Sequence, residues 1–265
     1  MDVTETQPRA DQPLTALVTG ASGGIGRATC QALAARRYRV AVHWAVNGDG
    51  ARETLASLPG EGHLLVRGDL TEPGAPERVV SDAGDGLGAL GVLVNNAAIA
   101  TGPENRHHPA ECSFADWSAA FRGMIDVNLR AAADVSYWFA RQAIEAGHAA
   151  SIVNVGSRGA FRGEPEHPAY AATKAALHAL GQSLAVALAP HGIVVTSVAP
   201  GFTATERTAD RLAGAGRERI TAQSPFGRVA SAEEVAHAIA HLADPASSWA
   251  SGAILDLNGA SYLRS

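Results

Sequence analysis

Short apolar runs alternate with longer stretches of helical periodicity along most of this chain. Seven runs of four to six residues read as strands, and several are almost wholly apolar, which is typical of strands buried on both faces of a sheet. They predict strands at residues 14–19, 38–43, 63–67, 92–95, 151–155, 194–199 and 253–257. Alanine- and leucine-rich stretches between them predict helices, among them residues 25–36, 129–146, 169–188 and 232–242.

The alternation of strand and helix predicts the fold class. Each crossover between successive strands is expected to be right-handed, which gives a parallel sheet. We therefore predict an α/β protein with a single doubly wound Rossmann domain at residues 14–265, whose parallel seven-stranded sheet carries helices on both faces. Residues 1–13 are polar, lack the apolar segment of a secretory signal and are predicted to form a flexible tail.

Composition narrows the classes of function. The 265 residues are 46% hydrophobic, which is enough for one large core, and the net charge is −5. No cluster of lysine and arginine stands out, so nucleic acid is not an expected partner. Cys30 and Cys112 give no disulfide framework, which fits a reducing compartment and hence the cytoplasm. No apolar run reaches ~18 residues, so we expect no membrane-spanning segment.

A glycine-rich turn follows the first predicted strand and leads directly into a helix. Its sequence is Thr19-Gly20-Ala21-Ser22-Gly23-Gly24-Ile25-Gly26. Glycine lets the backbone approach a ligand closely, and the helix start offers free N–H groups and the positive end of its dipole. On the first strand of an α/β domain this favours a dinucleotide site over a plain tight turn. A Walker-type phosphate loop is disfavoured because no Gly-Lys-Ser/Thr follows.

Tyr170 and Lys174 lie four residues apart in a predicted helix, so their side chains share one helical face. The ordinary pKa of a phenol, about 10, is too high for proton exchange near neutral pH. A cation within about 4–6 Å favours the phenolate and lowers that pKa. The pair is therefore a candidate general acid/base, although such a pair is more commonly a solvated helix edge.

Further motifs accompany this pair in a fixed order along the chain. They are Asn95-Asn96-Ala97-Ala98 at the fourth strand, Asp126-Val127-Asn128-Leu129 in a helix, Val155-Gly156-Ser157 at the fifth strand and Pro200-Gly201 after the sixth. With the glycine turn and Tyr170-x-x-x-Lys174, this ordered set strongly resembles the short-chain dehydrogenase/reductase family in its short single-domain form. The resemblance is closest to 3-oxoacyl-carrier-protein reductase-like members. Ala98 departs from it, since the family has glycine there.

The resemblance implies four catalytic roles. Tyr170 would exchange a proton with the carbonyl or hydroxyl oxygen, and Ser157 would hydrogen-bond the same oxygen. Lys174 would lower the pKa of the tyrosine and bind the nicotinamide ribose hydroxyls. Asn128 would hold a water that links Lys174 to solvent.

The resemblance also implies a set of cofactor contacts. Asp69 would bind the adenine amino group, Asn95 would line the adenine-ribose side of the groove, and the segment after Pro200-Gly201 would reach the carboxamide. The full candidate set is Gly20, Ser22, Gly23, Gly24, Ile25, Gly26, His43, Asp69, Leu70, Asn96, Ala97, Ala98, Tyr170, Lys174, Pro200, Gly201, Thr203 and Thr205.

The end of the second strand bears on the choice between NAD(H) and NADP(H). It reads His43-Trp44-Ala45-Val46-Asn47, with no acidic residue to bind a ribose 2′-hydroxyl and repel a 2′-phosphate. A basic residue is also missing at Ala45, at Val46 and in the glycine turn. His43 could contact a phosphate, although a strand-end histidine more often packs. The missing acidic residue favours NADP(H).

Two segments are longer than this fold needs, residues 99–113 and 202–225, and both follow the carboxyl ends of predicted strands. Ligands of open α/β sheets bind at those ends, so we expect the two loops to wall a substrate pocket. His107, His108 and Cys112 in the first loop have no known metal-ligand spacing, so no metal is expected. Arg158, Arg162, Glu164 and Glu166 before Tyr170 suggest a polar substrate or carrier, or a solvated loop.

The expected function is hydride transfer between a nicotinamide cofactor and a small-molecule carbonyl or secondary alcohol, with a 3-oxoacyl thioester or related ketone as one substrate type. The main alternative is a cofactor-binding sensor or scaffold without catalysis, which would not need the proton-handling residues. An epimerase or dehydratase is disfavoured by the glycine spacing, and a methyltransferase would not account for Tyr170 and Lys174. The resemblance further implies a homotetramer that uses the helices starting near Leu129 and Ala169.

Overall fold

The computed structural model of this chain describes residues 14–214 and 216–264. The tail predicted at residues 1–13 lies outside the described residues. Among the helices of the described part, none is long and apolar enough to cross a membrane.

A seven-stranded parallel sheet forms the centre of the molecule. Its strands are β1 (Thr15–Val18), β2 (Arg39–Trp44), β3 (Leu64–Arg67), β4 (Val92–Asn95), β5 (Ala150–Val155), β6 (Ile193–Pro200) and β9 (Ile254–Leu257). The order across the sheet is β3-β2-β1-β4-β5-β6-β9. Every strand begins and ends within one residue of its predicted bounds, so the α/β fold and its sheet are confirmed. The prediction succeeds because β1, β4 and β5 are buried at every position and therefore carry a dense apolar signal.

Helices cover both faces of the sheet. They are α1 (Gly24–Ala34), α2 (Gly48–Ala56), α3 (Ala75–Leu87), α4 (Phe114–Ile125), α5 (Ala131–Ala146), α6 (Gly159–Arg162), α7 (Pro168–Leu188), α8 (Ala209–Ala213), α9 (Arg217–Thr221) and α10 (Ala232–Leu242). One apolar core lies between the sheet and α1 with α10, and the other between the sheet and α3 with α5. This is the doubly wound arrangement that the strand–helix alternation predicts.

The strand order reverses between β1 and β4, which both lie at the middle of the sheet. The loops that leave these two strands turn to opposite faces, and the crevice between them is the usual ligand site of open α/β sheets. The glycine turn follows β1, and the segments after β4, β5 and β6 end beside it. The fold therefore gathers the candidate residues at one edge.

Two features were not predicted from sequence. A short ladder pairs β7 (Thr203–Ala204) with β8 (Ala230–Ser231) and closes the second long loop, which contains α8 and α9. A five-residue π-helical turn, Asp126–Arg130, joins α4 to α5 and carries Asn128. Such turns inside α-helices frequently mark functional positions.

Candidate active site

A cavity of about 730 Å³ opens at the carboxyl edge of the sheet. Its volume lies in the range of small-molecule and cofactor sites. Most of the candidate residues line it, and these are Gly20, Gly23, Gly24, Ile25, Gly26, Asn96, Ala98, Ser157, Tyr170, Lys174, Pro200, Gly201, Thr203 and Thr205. The structure thus brings the glycine turn and the Tyr170–Lys174 pair into one cavity.

The glycine turn needs its glycines for close packing. Gly20 has φ of 63°, and a Cβ there would lie 2.7 Å from the Cα of Ala97. A Cβ on Gly26 would lie 2.5 Å from the carbonyl oxygen of Gly20. The side-chain amide of Asn96 donates to the carbonyl oxygens of Thr19 and Gly20 at 3.0 and 2.9 Å, so the segment after β4 holds the turn in shape.

His43 lies beneath this turn and does not line the cavity. Its side chain is 2% exposed; Nδ1 accepts from the Gly20 N–H at 3.2 Å, and Nε2 donates to the Gly68 carbonyl at 3.0 Å. Desolvation lowers its pKa to about 4, so the ring is neutral near pH 7. Both ring nitrogens are therefore engaged, and His43 supports the turn where the sequence had suggested a phosphate contact.

Ser157, Tyr170 and Lys174 form the polar wall of the cavity opposite the turn. Ser157 follows β5, and its Oγ accepts from the Gly159 N–H at 3.0 Å. The Nζ of Lys174 donates to the Val155 carbonyl at 2.7 Å and lies 5.8 Å from the centre of the Tyr170 ring. The lysine is buried, so β5 and α7 together fix both ends of the pair.

The pKa shifts of this wall differ from the sequence expectation. Desolvation raises the pKa of Tyr170, while a hydrogen bond with Ser157 and the charge of Arg207 act to lower it. Desolvation, with the nearby positive charge of Arg207, lowers the pKa of Lys174 to about 8. Burial thus opposes phenolate formation, and Ser157 with Arg207, rather than Lys174, supplies the opposing effect in this structure.

Asn128 lies behind the wall, where it is 1% exposed. Its Oδ1 accepts from the Ile99 N–H at 2.7 Å, and its amide donates to the Ile99 carbonyl at 3.2 Å and to the Thr173 hydroxyl at 3.4 Å. These bonds join the π-helical turn, the segment after β4 and α7. The side chain therefore fixes the distance between two walls of the cavity.

The remaining candidates lie beside the cavity or beneath it. Asp69 is exposed, and its carboxylate accepts from the N–H and hydroxyl of Thr71 at 3.0 and 2.7 Å, which lowers its pKa. Asn95 is buried, and its amide donates to Ser136 and Asn154 at 2.9 Å, so it joins α5 to the sheet. The candidates that do not line the cavity are Ser22, His43, Asp69, Leu70, Asn95, Ala97 and Asn128.

The first long loop, residues 99–113, is bound to the start of α7, the helix that carries Tyr170 and Lys174. Buried His107 donates from Nδ1 to the Asn105 carbonyl at 2.7 Å and accepts at Nε2 from the Ala169 N–H at 3.0 Å. His167 reciprocates with a bond from Nε2 to the Gly102 carbonyl at 2.9 Å. His107 therefore satisfies a free N–H in the first turn of the helix that carries Tyr170. No metal-binding cluster occurs in the described residues.

The second long loop, residues 202–225, lies across the glycine turn. The methyl group of Thr205 would lie 3.2 Å from a Cβ on Gly24. Glu206 accepts from the Gly24 N–H at 3.0 Å and pairs with Arg27 at 3.4 Å. A carboxylate thus occupies the helix start where an anionic group of a ligand is expected. Sequence reasoning missed this residue because no local pattern links it to a turn 182 positions away.

The donor set fits a nicotinamide dinucleotide. The glycine turn lies at a helix start where an exposed carboxylate, Glu206, already holds the Gly24 N–H as an anionic ligand group would, and the cavity runs from there to Tyr170 and Lys174. The buried ammonium of Lys174 has a single protein acceptor, the Val155 carbonyl, among the described residues, which leaves donors for further hydroxyl groups. The fold and this site define a Rossmann-type oxidoreductase domain with a tyrosine–lysine proton-handling pair.

Comparison with known proteins agrees. The model of the short chain dehydrogenase family matches residues 14–215. The chain is 38% identical to cis-4-hydroxycyclohexanecarboxylate dehydrogenase of Sinomonas cyclohexanicum, covering 92% of this chain and 94% of that protein. It is 35% identical to the 3-oxoacyl-[acyl-carrier-protein] reductase FabG of Escherichia coli, covering 94% and 97%.

A solved structure gives the same result. The NADP-bound crystal structure of a candidate 2-deoxy-D-gluconate 3-dehydrogenase from Agrobacterium tumefaciens superposes with a TM-score of 0.81 at 32% identity, over 94% of this chain and 96% of the other. The chain belongs to the short-chain dehydrogenase/reductase family. It is an NAD(P)-dependent oxidoreductase of that family that acts on an alcohol or ketone group.

Proposed function

We propose that this protein transfers hydride between NADP(H) and the carbonyl or secondary alcohol of a small molecule, with Tyr170 as general acid/base. The observation that carries the proposal is the meeting of Ser157, Tyr170 and Lys174 with the glycine turn in one cavity. A cofactor sensor would need the turn but not a hydroxyl pair backed by a buried ammonium.

The residues divide the proton chemistry among them. The cofactor, when bound, supplies or accepts the hydride. In reduction, negative charge develops on the substrate oxygen, and the hydroxyl groups of Ser157 and Tyr170 donate to it. Tyr170 then gives up its proton to that oxygen. In oxidation the phenolate oxygen of Tyr170 takes the proton from the substrate hydroxyl.

Lys174 is not among the groups that act on the pKa of Tyr170 in the structure; we propose that its charge acts on the tyrosine once a substrate is bound. The lysine pKa of about 8 keeps the ammonium largely protonated near pH 7, and a cation close to the phenol favours the phenolate that forms in reduction. Asn128 is proposed to connect this ammonium to solvent through a water, and in the structure it lies against Thr173, the neighbour of Lys174.

The proposed preference for NADP(H) rests on the end of β2. That strand ends at Trp44 without an acidic residue, and the guanidinium of Arg67 lies 5.1 Å from the Trp44 ring centre. Arg67 therefore supplies a positive charge at the adjoining end of β3, and the solved relative with bound NADP supports the choice. We expect kcat/KM to favour NADPH over NADH, and Arg67→Gln to reduce that ratio. A preference above ~10-fold for NADH would contradict this part.

The relatives indicate only the general class of substrate. Their names specify a hydroxycyclohexanecarboxylate, a 3-oxoacyl thioester and a sugar acid, all of which carry a secondary alcohol or ketone. We propose that a ketone of this kind, including 3-oxoacyl thioesters, is the substrate here.

Assembly and location are also proposed from the family. A homotetramer would use α5 and α7, on which Tyr137 and Val186 are exposed apolar side chains. Light scattering over a dilution series would detect it. A cytoplasmic location fits two free cysteines, Cys30 and Cys112.

A cofactor-oxidation screen tests the proposal. NADPH and NADH oxidation would be followed with ketones, 3-oxoacyl thioesters and quinones, with Tyr170→Phe as the control. We expect turnover of at least one ketone class that is lost in the control. Tight cofactor binding with no turnover across the panel would favour the sensor instead.

A further inference from the structure

The end of the cavity away from the glycine turn contains a buried arginine without a counterion. Arg158 directly follows Ser157 and is 3% exposed. Its guanidinium donates to the Ser261 hydroxyl at 2.5 Å and to the Gln223 Oε1 at 3.0 Å. Its Nε has no partner among the described residues. Burial of an ionised group without an opposite charge is unfavourable, so this position calls for an explanation.

A second arginine reaches the same acceptor. Arg162, on the short helix after Arg158, donates to the Gln223 Oε1 at 2.9 Å. Two guanidinium groups therefore converge on one neutral oxygen. Like charges repel, and the proximity of Arg162 acts with burial to lower the pKa of Arg158. The Gln223 amide oxygen accepts hydrogen bonds from both guanidinium groups, but it carries no negative charge to balance theirs.

No carboxylate of the described part of the chain pairs directly with either of these arginines. Neither Arg158 nor Arg162 forms an ion pair within 4.0 Å there, although ten other pairs occur. Glu164 is near enough to act on Arg158 through its field, without direct contact. Two of the other arginines at the cavity contact different neighbours: Arg207 donates to the Ala98 carbonyl, and Arg211 stacks on Phe202.

We propose that Arg158 and Arg162 bind a carboxylate of the substrate, whose oxygens take the place of the Gln223 amide oxygen. The substrate is then a keto acid or hydroxy acid, with its reacting carbon at Ser157 and Tyr170 and its carboxylate at the arginine pair. Planar guanidinium groups match a carboxylate in two-point hydrogen bonds. Gln223 belongs to the second loop, so the loop moves aside when the acid binds.

The charges around the cavity favour an anion. Lys174, Arg207, Arg211 and Arg219 line it besides the arginine pair, against the carboxylates Glu164, Glu166 and Asp210, so basic groups outnumber acidic ones. The phosphate probe in the test separates a carboxylate from a phosphate ester. The inference rests on the proposed hydride transfer, because it assigns the substrate class of that same site.

The test compares an acid with its own ester. Reduction of 5-oxohexanoate and of methyl 5-oxohexanoate would be measured with NADPH at constant ionic strength, with dihydroxyacetone phosphate as the phosphate probe. We expect kcat/KM for the acid to exceed that for the ester at least ~10-fold, mostly through KM. In Arg162→Gln, whose side chain is exposed and not part of the core, this ratio should fall toward 1. Arg217→Gln, which lies outside the cavity, should leave the ratio unchanged.

The outcomes separate the two proposals. Turnover of the ester with an acid-to-ester ratio near 1 would overturn the carboxylate site and leave hydride transfer standing. The same holds for an acid preference that persists in Arg162→Gln. Preference for dihydroxyacetone phosphate over the acid would replace carboxylate with phosphate. Turnover of neither acid nor ester, nor of any ketone in the screen, would instead count against hydride transfer itself. Arg158→Lys, which keeps the buried charge but loses the planar fork, is a second variant in which the acid-to-ester ratio should also fall; an unchanged ratio there would count against contact between Arg158 and the carboxylate.

Discussion

The two long loops border the same cavity but are attached to the fold in different ways. Residues 99–113 are held by buried groups. The His107 ring accepts from the Ala169 N–H at the start of α7, and the Asn128 amide binds both the N–H and the carbonyl oxygen of Ile99. Residues 202–225 have a buried anchor at Ser224, whose hydroxyl donates to the Gly259 carbonyl at 2.6 Å, but they meet the cavity through less buried side chains. Glu206 reaches Gly24, and Gln223 meets the two arginines.

This difference in attachment indicates that the two loops have different roles. The first loop is part of the rigid unit that positions Tyr170, since its bonds end on the helix that carries the tyrosine. The second loop contacts the places where ligands are expected, through groups that water or a ligand can replace. We therefore expect changes in the first loop to alter stability and rate together, and changes in the second to alter affinity and selectivity.

Among the substitutions that test this comparison of the two loops, His107→Ala is expected to have the largest effect. The change removes the acceptor of the Ala169 N–H and leaves that donor and the Asn105 carbonyl without partners in a buried place. We expect a loss of about 3 kcal/mol in the free energy of unfolding, from a lost cap and two unsatisfied polar groups. Urea denaturation measures the loss, and kcat with the best ketone should fall in parallel.

The neighbouring histidine is a matched control. His108 is half-exposed; its Nδ1 accepts from the Ala110 N–H at 3.3 Å and lies 3.9 Å from a carboxylate oxygen of Glu111. His108→Ala should change the free energy of unfolding by less than about 0.5 kcal/mol. Equal effects of the two substitutions would mean that the loop is not anchored through His107.

The anchoring of this loop could not be read from the sequence. The pair of adjacent histidines has no metal-ligand spacing, which excluded one function but indicated no other. The bond from Ala169 to His107 spans 62 residues, and its formation depends on how the loop folds back on α7. The bounds of the strands, by contrast, were predicted within one residue, because a strand buried on both faces is apolar at almost every position.

A second effect concerns a buried histidine of α7 that packs beside Gly156, in the segment after β5. His178 on α7 is buried against Phe161, and neither ring nitrogen has a partner among the described residues. Desolvation lowers its pKa to about 4, so the unfolded chain takes up a proton at higher pH than the folded one. Stability is then fully present above about pH 6.5 and is lost as the pH falls toward 4.

His178→Leu should remove this acid sensitivity. Between pH 7.5 and 5 the wild type should lose about 2 kcal/mol more than the variant in the free energy of unfolding. Chemical denaturation at several pH values measures the slope, and His237→Gln, at an exposed position of α10, serves as the control. An unchanged slope in His178→Leu would show that the imidazole titrates normally.

The smallest expected effect concerns the contact between Glu206 of the second loop and the glycine turn. Glu206 places a negative charge at the Gly24 N–H, where a cofactor pyrophosphate would have to displace it. Glu206→Gln keeps a hydrogen-bond acceptor but removes the charge, so the dissociation constant of NADPH should fall about 3- to 10-fold. Fluorescence titration gives the constant, with Glu218→Gln as a control at an exposed position of α9. Weaker binding in Glu206→Gln would mean that the carboxylate supports the cofactor site.

The candidate site was predictable where residues follow strand ends and less so elsewhere. Ser157, Asn96, Pro200 and Gly201 lie at the sheet edge by topology alone, and Tyr170 with Lys174 by helical spacing. His43 was assigned to the groove because its strand ends there, but its ring turns inward to the glycine turn. Gln223 had no signal, because its contacts with Arg158 and Arg162 depend on a loop whose path is set by tertiary packing.

The most direct test of the account is Tyr170→Phe, with turnover and cofactor binding measured on the same samples. The phenyl ring keeps the packing of α7 and removes only the hydroxyl that we assign to proton exchange. We expect kcat/KM for the best ketone to fall at least ~10³-fold, while the dissociation constant of NADPH stays within about 3-fold of wild type. Retention of more than a tenth of the wild-type turnover would contradict the assignment of Tyr170 as the general acid/base.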